Sequence, residues 1–301
     1  MSISSGVRDE PKIYELSVRT FPERGGPVSV AVKDADGLAA GLWRHLLILV
    51  HGFNNTAPEA RASYNILIDQ LWPSLIASRV APDAIACFQW PGDAAAWFKL
   101  LDCILYARDV GLSFSAADRL TSYLAGLARL GTGSRKISII GHSLGCRLVL
   151  EMLARLAPVN LQFDVIALMA AAVPTERVEV GDPLAGTATR PIIMRKFFSE
   201  QDSVLELGFP VGQQLAFMQG IDPSPGLEAV GRHGNPGSFG APKLTTNGHG
   251  DYWADPRVAD CILQDIDPTL SSGPTARELL GRPLPASPAT PQRTLSQRRL
   301  P

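Results

Sequence analysis

The sequence has no excess of charge of either sign, no long apolar run, no paired cysteines and few histidines, and each shortage removes a class of function. Lysine and arginine number 28 against 29 aspartates and glutamates, so no global field would steer the chain to nucleic acid or anionic lipid. No stretch approaches the ~20 apolar residues needed to span a bilayer, which argues against stable membrane insertion. Residues 1–11 are polar and lack the apolar core of a signal peptide, so the expectation is a soluble, cytoplasmic protein. Cys87, Cys103, Cys146 and Cys261 show neither CxxC pairing nor a Cys/His metal spacing, and they read as free thiols packed as small hydrophobes. No metal site and no cofactor is expected, because histidines and carboxylates lack ligand spacing. No internal repeat of fixed period is present.

What is there fits one sizeable globular domain. Hydrophobic residues make up 46% and charged residues 19% of 301, enough to bury a real core. The domain is expected over residues 1–267, with 12–45 forming an N-terminal hairpin that leads into it. Residues 268–301 are dominated by Pro, Ser, Thr and Arg, including Arg293, Arg298 and Arg299, and are expected to be a disordered tail.

Short β-rich runs at 14–21 and 28–32 flank a breaker-rich turn and predict the opening hairpin. Leu46-Leu47-Ile48-Leu49-Val50 is an unbroken apolar run ending in His51-Gly52, the pattern of a strand covered on both faces. Residues 60–76 carry Tyr64, Leu67, Leu71 and Leu75 at helical spacing, with Pro73 expected to break or bend the end. A strand is predicted at 84–90, helices over 94–106 and 116–130, strands at 136–140, 164–170 and 192–198, and a last helix at 255–266. Leu148, Met152 and Leu156 repeat every four residues after the strand at 136–140. Alternating strands and helices imply an α/β fold with a mostly parallel sheet covered on both faces. Gly and Pro are dense between 208 and 250, which predicts long loops over one end of the sheet. Those loops from 208 to 246 and Trp97-Phe98-Lys99-Leu100-Leu101 are candidate pocket walls, although such apolar residues are more often plain core.

Gly141-His142-Ser143-Leu144-Gly145 fits G-x-S-x-G, in which a serine on a strained strand-to-helix turn is pushed out above the sheet. The glycines are needed where a side chain would collide with neighbouring backbone. The strand before it and the amphipathic helix after it supply the context the motif requires. The bland reading is a helix N-cap serine between turn glycines. A serine hydroxyl is barely nucleophilic at neutral pH and needs a base, and there are five histidines to choose from. His45 precedes its strand and is expected at the far end of the sheet as a surface or edge residue. His51 reads as a structural residue of the turn after its strand, and His142 points elsewhere on a tight turn. His233 and His249 remain.

Leu49-Val50-His51-Gly52-Phe53-Asn54, together with the Ser143 turn, resembles the α/β-hydrolase superfamily in its esterase and lipase-like branch. The resemblance covers residues 46–266 and is specific to superfamily, not to substrate. It implies an oxyanion hole built from the backbone amides of Phe53 and Leu144, each such donor being worth ~10²–10³ in rate. It places the base at His249, in the loop ahead of the last helix, with His233 as the rival. It places the orienting carboxylate at Asp202, after the strand at 192–198, with Glu200 as the rival and a helix N-cap as the bland reading. Asp164 is expected on the wrong side of the sheet and Asp251 too close in sequence to His249. The function implied is a serine hydrolase, Ser143-Asp202-His249, acting on a small-molecule ester-like substrate through an acyl-enzyme. The alternatives are an amidase, thioesterase or acyltransferase with the same residues, or a catalytically silent scaffold that binds a ligand or protein partner.

Overall fold

A computed structural model of the chain describes residues 11–19, 32–76, 78, 80–92, 99–130, 135–157 and 161–270. Eight strands form one sheet: β1 (Lys12–Ser17), β2 (Lys33–Asp34), β3 (His45–Val50), β4 (Ala84–Gln89), β5 (Arg135–His142), β6 (Leu161–Met169), β7 (Pro191–Phe198) and β8 (Ala241–Leu244). Their order is β2-β1-β4-β3-β5-β6-β7-β8. The β1–β2 pair is antiparallel and every other pair is parallel. Every residue of β3 and β4 is buried, as their unbroken apolar runs require of strands covered on both faces.

The helices are α1 (Ala57–Leu75), α2 (Lys99–Leu130), α3 (Leu144–Arg155), α4 (Phe209–Met218), α5 (Val230–His233) and α6 (Pro256–Ile266). A capping box opens α1, the Thr56 side chain accepting from the Glu59 N–H while Glu59 accepts from the Thr56 N–H. Pro73 falls in the last turn of α1, which continues only to Leu75. The chain leaves β3 toward β4 on one side and β5 toward β6 on the other. Right-handed crossovers in opposite directions put their helices on opposite faces of the sheet. Accordingly α1 packs with α6, and α2 packs with α3 and α4. The reversal opens a crevice at the carboxyl ends of β3 and β5, where open α/β sheets bind ligands.

Three expectations from the sequence are corrected. The two helices predicted over 94–106 and 116–130 are, from Lys99, one helix of 32 residues, because nothing between them is a stronger breaker than Gly111, which a helix tolerates at about 1 kcal/mol. The region from 208 to 250 is not all loop but holds α4, α5 and β8. Its prolines misled: Pro210 follows directly on the π-helical turn Val204–Gly208 that runs into α4, and Pro242 sits on an edge strand. His45 is buried, not a surface residue; its Nε2 meets the Ser138 hydroxyl at 2.9 Å and its Nδ1 the Val80 carbonyl at 2.9 Å.

Of the hairpin strand expected at 28–32 only Val32 is described, and Trp97, Phe98 and the tail from 271 onward also lie outside the described residues. Cys87 and Cys146 are buried free thiols and Cys261 is a half-buried one. Among the described residues no helix is long and apolar enough to cross a membrane, and no three His, Cys, Asp or Glu side chains gather as a metal site would need.

A buried ion network joins α3 to the segment after α4. Arg147 and Asp222 are fully buried and paired, and Arg147 also donates to Gln213 Oε1 at 3.4 Å and lies 3.9 Å from Glu151. Arg177 reaches Glu151 at 3.4 Å and Asp182 at 2.8 Å. Removing Arg147 leaves Asp222 out of water with the more distant Arg177, at 3.6 Å, to balance its charge. Arg147→Ala should therefore lower the unfolding free energy by about 3–5 kcal/mol in urea titrations, whereas the double change Arg147→Met/Asp222→Leu should recover most of that loss.

Candidate active site

The site is built at the crevice by two close approaches of backbone. The pairing Val50↔Gly141 sets Gly52 level with Ser143, and a Cβ on Gly52 would fall 2.7 Å from the Ser143 Cβ. At the start of α3, a Cβ on Gly145 would fall 2.3 Å from the His51 carbonyl oxygen. Only glycine allows the end of β3 and the first turn of α3 to lie this close. Between them Ser143 takes φ 53° and ψ −124°, a strained conformation that the surroundings must impose. They do so through the Ser143 N–H, which donates to the Met169 carbonyl at 2.9 Å, and the Ser143 carbonyl, which accepts from Cys146 at 3.0 Å and Ala172 at 3.2 Å.

The turn after β3 is held from several sides. The His51 N–H donates to the Tyr64 hydroxyl at 2.7 Å, which donates onward to the Phe88 carbonyl at 2.8 Å. Trp90 donates its indole N–H to the His51 carbonyl at 2.8 Å, and the His51 ring stacks on the Trp90 ring at 5.4 Å. The backbone N–H of Trp90 and the Arg19 guanidinium both donate to His51 Nε2, at 3.3 and 3.2 Å, so the ring proton sits on Nδ1 and goes to the Gly52 carbonyl at 2.8 Å. Asn54 adopts φ 57°, which asparagine tolerates better than most residues. The turn is thus fixed on both sides of Phe53. Among the described residues neither the Phe53 N–H nor the Leu144 N–H meets an acceptor.

Ser143, Asp202 and His249 are brought together. Ser143 Oγ lies 2.9 Å from His249 Nε2, and His249 Nδ1 lies 2.8 Å from Asp202 Oδ2. Asp202 is fully buried, and its Oδ1 accepts from the Val204 and Leu205 N–H groups at 3.1 and 3.0 Å. It therefore both caps the π-helical turn Val204–Gly208 that leads into α4 and holds the imidazole, so the two readings weighed from sequence are not exclusive. Because a carboxylate only accepts, His249 carries its proton on Nδ1 and turns the Nε2 lone pair toward the serine hydroxyl.

The rivals lie elsewhere. His233 closes α5 and accepts from Arg232 Nε at 3.2 Å, and Glu200 is exposed. Asp251 accepts from the Gly248 N–H at 2.9 Å. Asp164 lies within the first half of β6, 3.6 Å from Lys136 near the start of β5.

His142 does not face the serine hydroxyl. Its Nε2 lies 2.6 Å from the His249 carbonyl, and its ring packs against those of Tyr252 and Trp253 at 6.2 and 5.7 Å. Sequence reasoning missed this contact, as it missed Arg19, Tyr64 and Trp90 around His51. The one usable signal was a tryptophan closing a buried strand, a side chain that needs a nearby acceptor. Near the turn, the Phe53 ring meets Tyr106 edge-on at 5.6 Å, and Tyr106 meets Phe209 of α4 at 6.2 Å.

Burial, more than any neighbour, pushes the pKa of both His51 and His142 down to about 3. Both are neutral in the folded protein, whereas in the unfolded chain each titrates near 6.5. Their stabilisation is complete above pH 6.5 and is lost as the pH falls from there toward 3, because the unfolded state then binds more protons. Chemical denaturation across this window should show unfolding free energy falling with acidification by up to about 1.4 kcal/mol per pH unit per histidine. A flat profile between pH 6 and 4 would contradict their neutrality.

Residues 36–225 match the family described as alpha/beta hydrolase of unknown function (DUF900). The matched span includes Phe53, Ser143, Leu144 and Asp202 and ends before His249. Among solved structures, the product of lin2722 from Listeria innocua is 10% identical, with 76% of this chain and 96% of that one covered at a TM-score of 0.44. MenH from S. aureus is 10% identical over 76% and 95% at a TM-score of 0.37. Esterase B from Lactobacillus rhamnosis, inhibited by a tributyrin phosphonate, is 12% identical over 75% of each chain at a TM-score of 0.38. No curated protein matches the chain.

Proposed function

The chain belongs to the alpha/beta hydrolase family DUF900 and has the α/β-hydrolase fold, and we propose that it is a serine hydrolase that cleaves a carboxylic ester through an acyl-enzyme. The observation that carries this reading is the continuous hydrogen-bonded run from Ser143 Oγ through His249 to Asp202, at 2.9 and 2.8 Å. Ser143 Oγ attacks the ester carbonyl carbon while its proton passes to His249 Nε2. Asp202 keeps the imidazole in the Nδ1–H tautomer and stabilises the imidazolium. The carbonyl oxygen becomes an oxyanion, to which the N–H groups of Phe53 and Leu144 donate, the latter with the positive end of the α3 dipole behind it.

Collapse of this intermediate breaks the bond to the alkoxide, which takes the proton from Nε2 and leaves. Water then repeats the sequence on the acyl-enzyme, His249 again removing the proton, and Ser143 is released with the acid. Only Ser143 becomes covalently joined to the substrate; His249 gains and returns a proton. The Phe53, Tyr106 and Phe209 rings form an apolar flank beside the turn, suited to the carbon chain of an ester rather than to a charged group.

A fluorophosphonate probe tests the reading directly. Native protein should be labelled and Ser143→Ala should not; an unlabelled native protein would favour a silent scaffold. With activated esters of graded acyl length, Asp202→Asn should lower kcat by about 10³–10⁴ by disturbing the tautomer of His249. An Asp202→Asn rate equal to native would remove Asp202 from the mechanism.

A further inference from the structure

His249 lies between two glycines, Gly248 and Gly250, so local conformational preference does little to fix its main chain. The neighbouring hydrogen bonds are internal to the loop, between Gly248 and Asp251, or lie to either side of it, from the Thr245 N–H to the Phe198 carbonyl, from Arg257 to the Asn247 side chain and from Gln70 to the Trp253 carbonyl. Only one polar contact ties the main chain of His249 itself to the sheet among the described residues. It comes from His142, the residue bonded covalently to Ser143, whose Nε2 lies 2.6 Å from the His249 carbonyl oxygen.

A carbonyl only accepts, so His142 is the donor and its proton is on Nε2. Among the described residues its Nδ1 is buried without a hydrogen-bond partner; it faces Gly52, where an added Cβ would come within 3.0 Å of it. The ring is therefore held in one tautomer and one orientation, wedged between the turn after β3 and the rings of His249, Tyr252 and Trp253. The dipeptide His142-Ser143 thus grips His249 twice, by the ring nitrogen and by the main-chain oxygen.

We propose that His142 is a positioning residue for His249: the Nε2–H donated to the His249 carbonyl at 2.6 Å fixes where the imidazole stands relative to the serine hydroxyl. This rests on the serine hydrolase reading above. It assigns the variable position of the G-x-S-x-G turn in this chain a part in assembling the reactive pair. Since a displacement of about 1 Å can cost on the order of 10²-fold in rate, a contact that sets the imidazole position governs turnover without touching substrate.

Two substitutions separate the hydrogen bond from packing. His142→Gln places an amide N–H close to the position of Nε2 but loses the ring. His142→Phe keeps the ring and its contacts but has no donor. Second-order rate constants for fluorophosphonate labelling, and kcat and KM on an activated ester, are measured for both alongside their thermal midpoints. The expected result is that His142→Phe labels about 10- to 100-fold more slowly, with the loss in kcat and not in KM, and that His142→Gln recovers most of the rate even if it is the less stable protein.

A His142→Phe rate equal to native, or above that of His142→Gln, overturns the inference while leaving the hydrolase reading intact. Failure of the native protein to label overturns both. A measurement on native protein is independent of whether the variants fold: ring nitrogen chemical shifts should show His142 neutral with its proton on Nε2. A proton on Nδ1 overturns the assignment.

Discussion

Two hydrogen atoms in place of side chains, at Gly52 and Gly145, are what the rest of the site depends on. They let the His51 carbonyl lie against the first turn of α3 and the following peptide against Ser143. That contact brings the start of a helix, with its unpaired N–H groups and positive dipole end, beside the turn after β3. It also forces the serine into a conformation costing on the order of 1–3 kcal/mol, which the bonds to Met169, Cys146 and Ala172 and the buried surroundings offset. A β3 even slightly further from α3 would leave the serine relaxed.

The rest follows from sheet topology. All four segments that supply the site leave the carboxyl ends of parallel strands: the His51 turn from β3, Ser143 from β5, Asp202 beyond β7 and His249 beyond β8. Parallel pairing brings residues 106 and 47 positions apart in sequence within hydrogen-bond reach. The polar groups so gathered are satisfied largely by one another. Asp202 is fully buried yet accepts from two backbone N–H groups and one imidazole, which is what keeps a buried carboxylate tolerable. His51 and His142, equally buried, stay neutral and give their one ring proton each to a carbonyl.

This division explains what could be read from the sequence. Buried parallel strands are continuous apolar runs, so β3 and β4 were evident from composition alone. The turn at Ser143 was evident because its glycines and serine are contiguous. The two side chains that meet it required more, since neither His249 nor Asp202 is singled out by its neighbours; the resemblance to a family supplied the positions. What failed was reading prolines and glycines as breakers without regard to place. Pro210 sits where a π-helical turn runs into α4, Pro242 lies on an edge strand, and Gly111 sits inside a 32-residue helix. His45 is hidden for a related reason: β3 begins one residue before its apolar run, at His45, and Val80 and Ser138 close over it.

The least legible feature was the ion network, and its position suggests why it persists. Arg147, Glu151 and Arg155 recur at four-residue spacing on α3, a pattern that reads as a solvated helical face. In the structure Arg147 is fully buried, and it joins α3 to Gln213 of α4 and to Asp222 just beyond it. Replacing such charges with apolar side chains of similar volume is often neutral or stabilising, so stability alone does not account for them. Orientation does. Helix α3 begins at Ser143, and α4 continues from the π-helical turn that Asp202 caps. A directional tie between these two helices holds the serine and the carboxylate in a fixed relation on either side of the His249 imidazole. Apolar packing would fill the same space but leave the two helices free to slide.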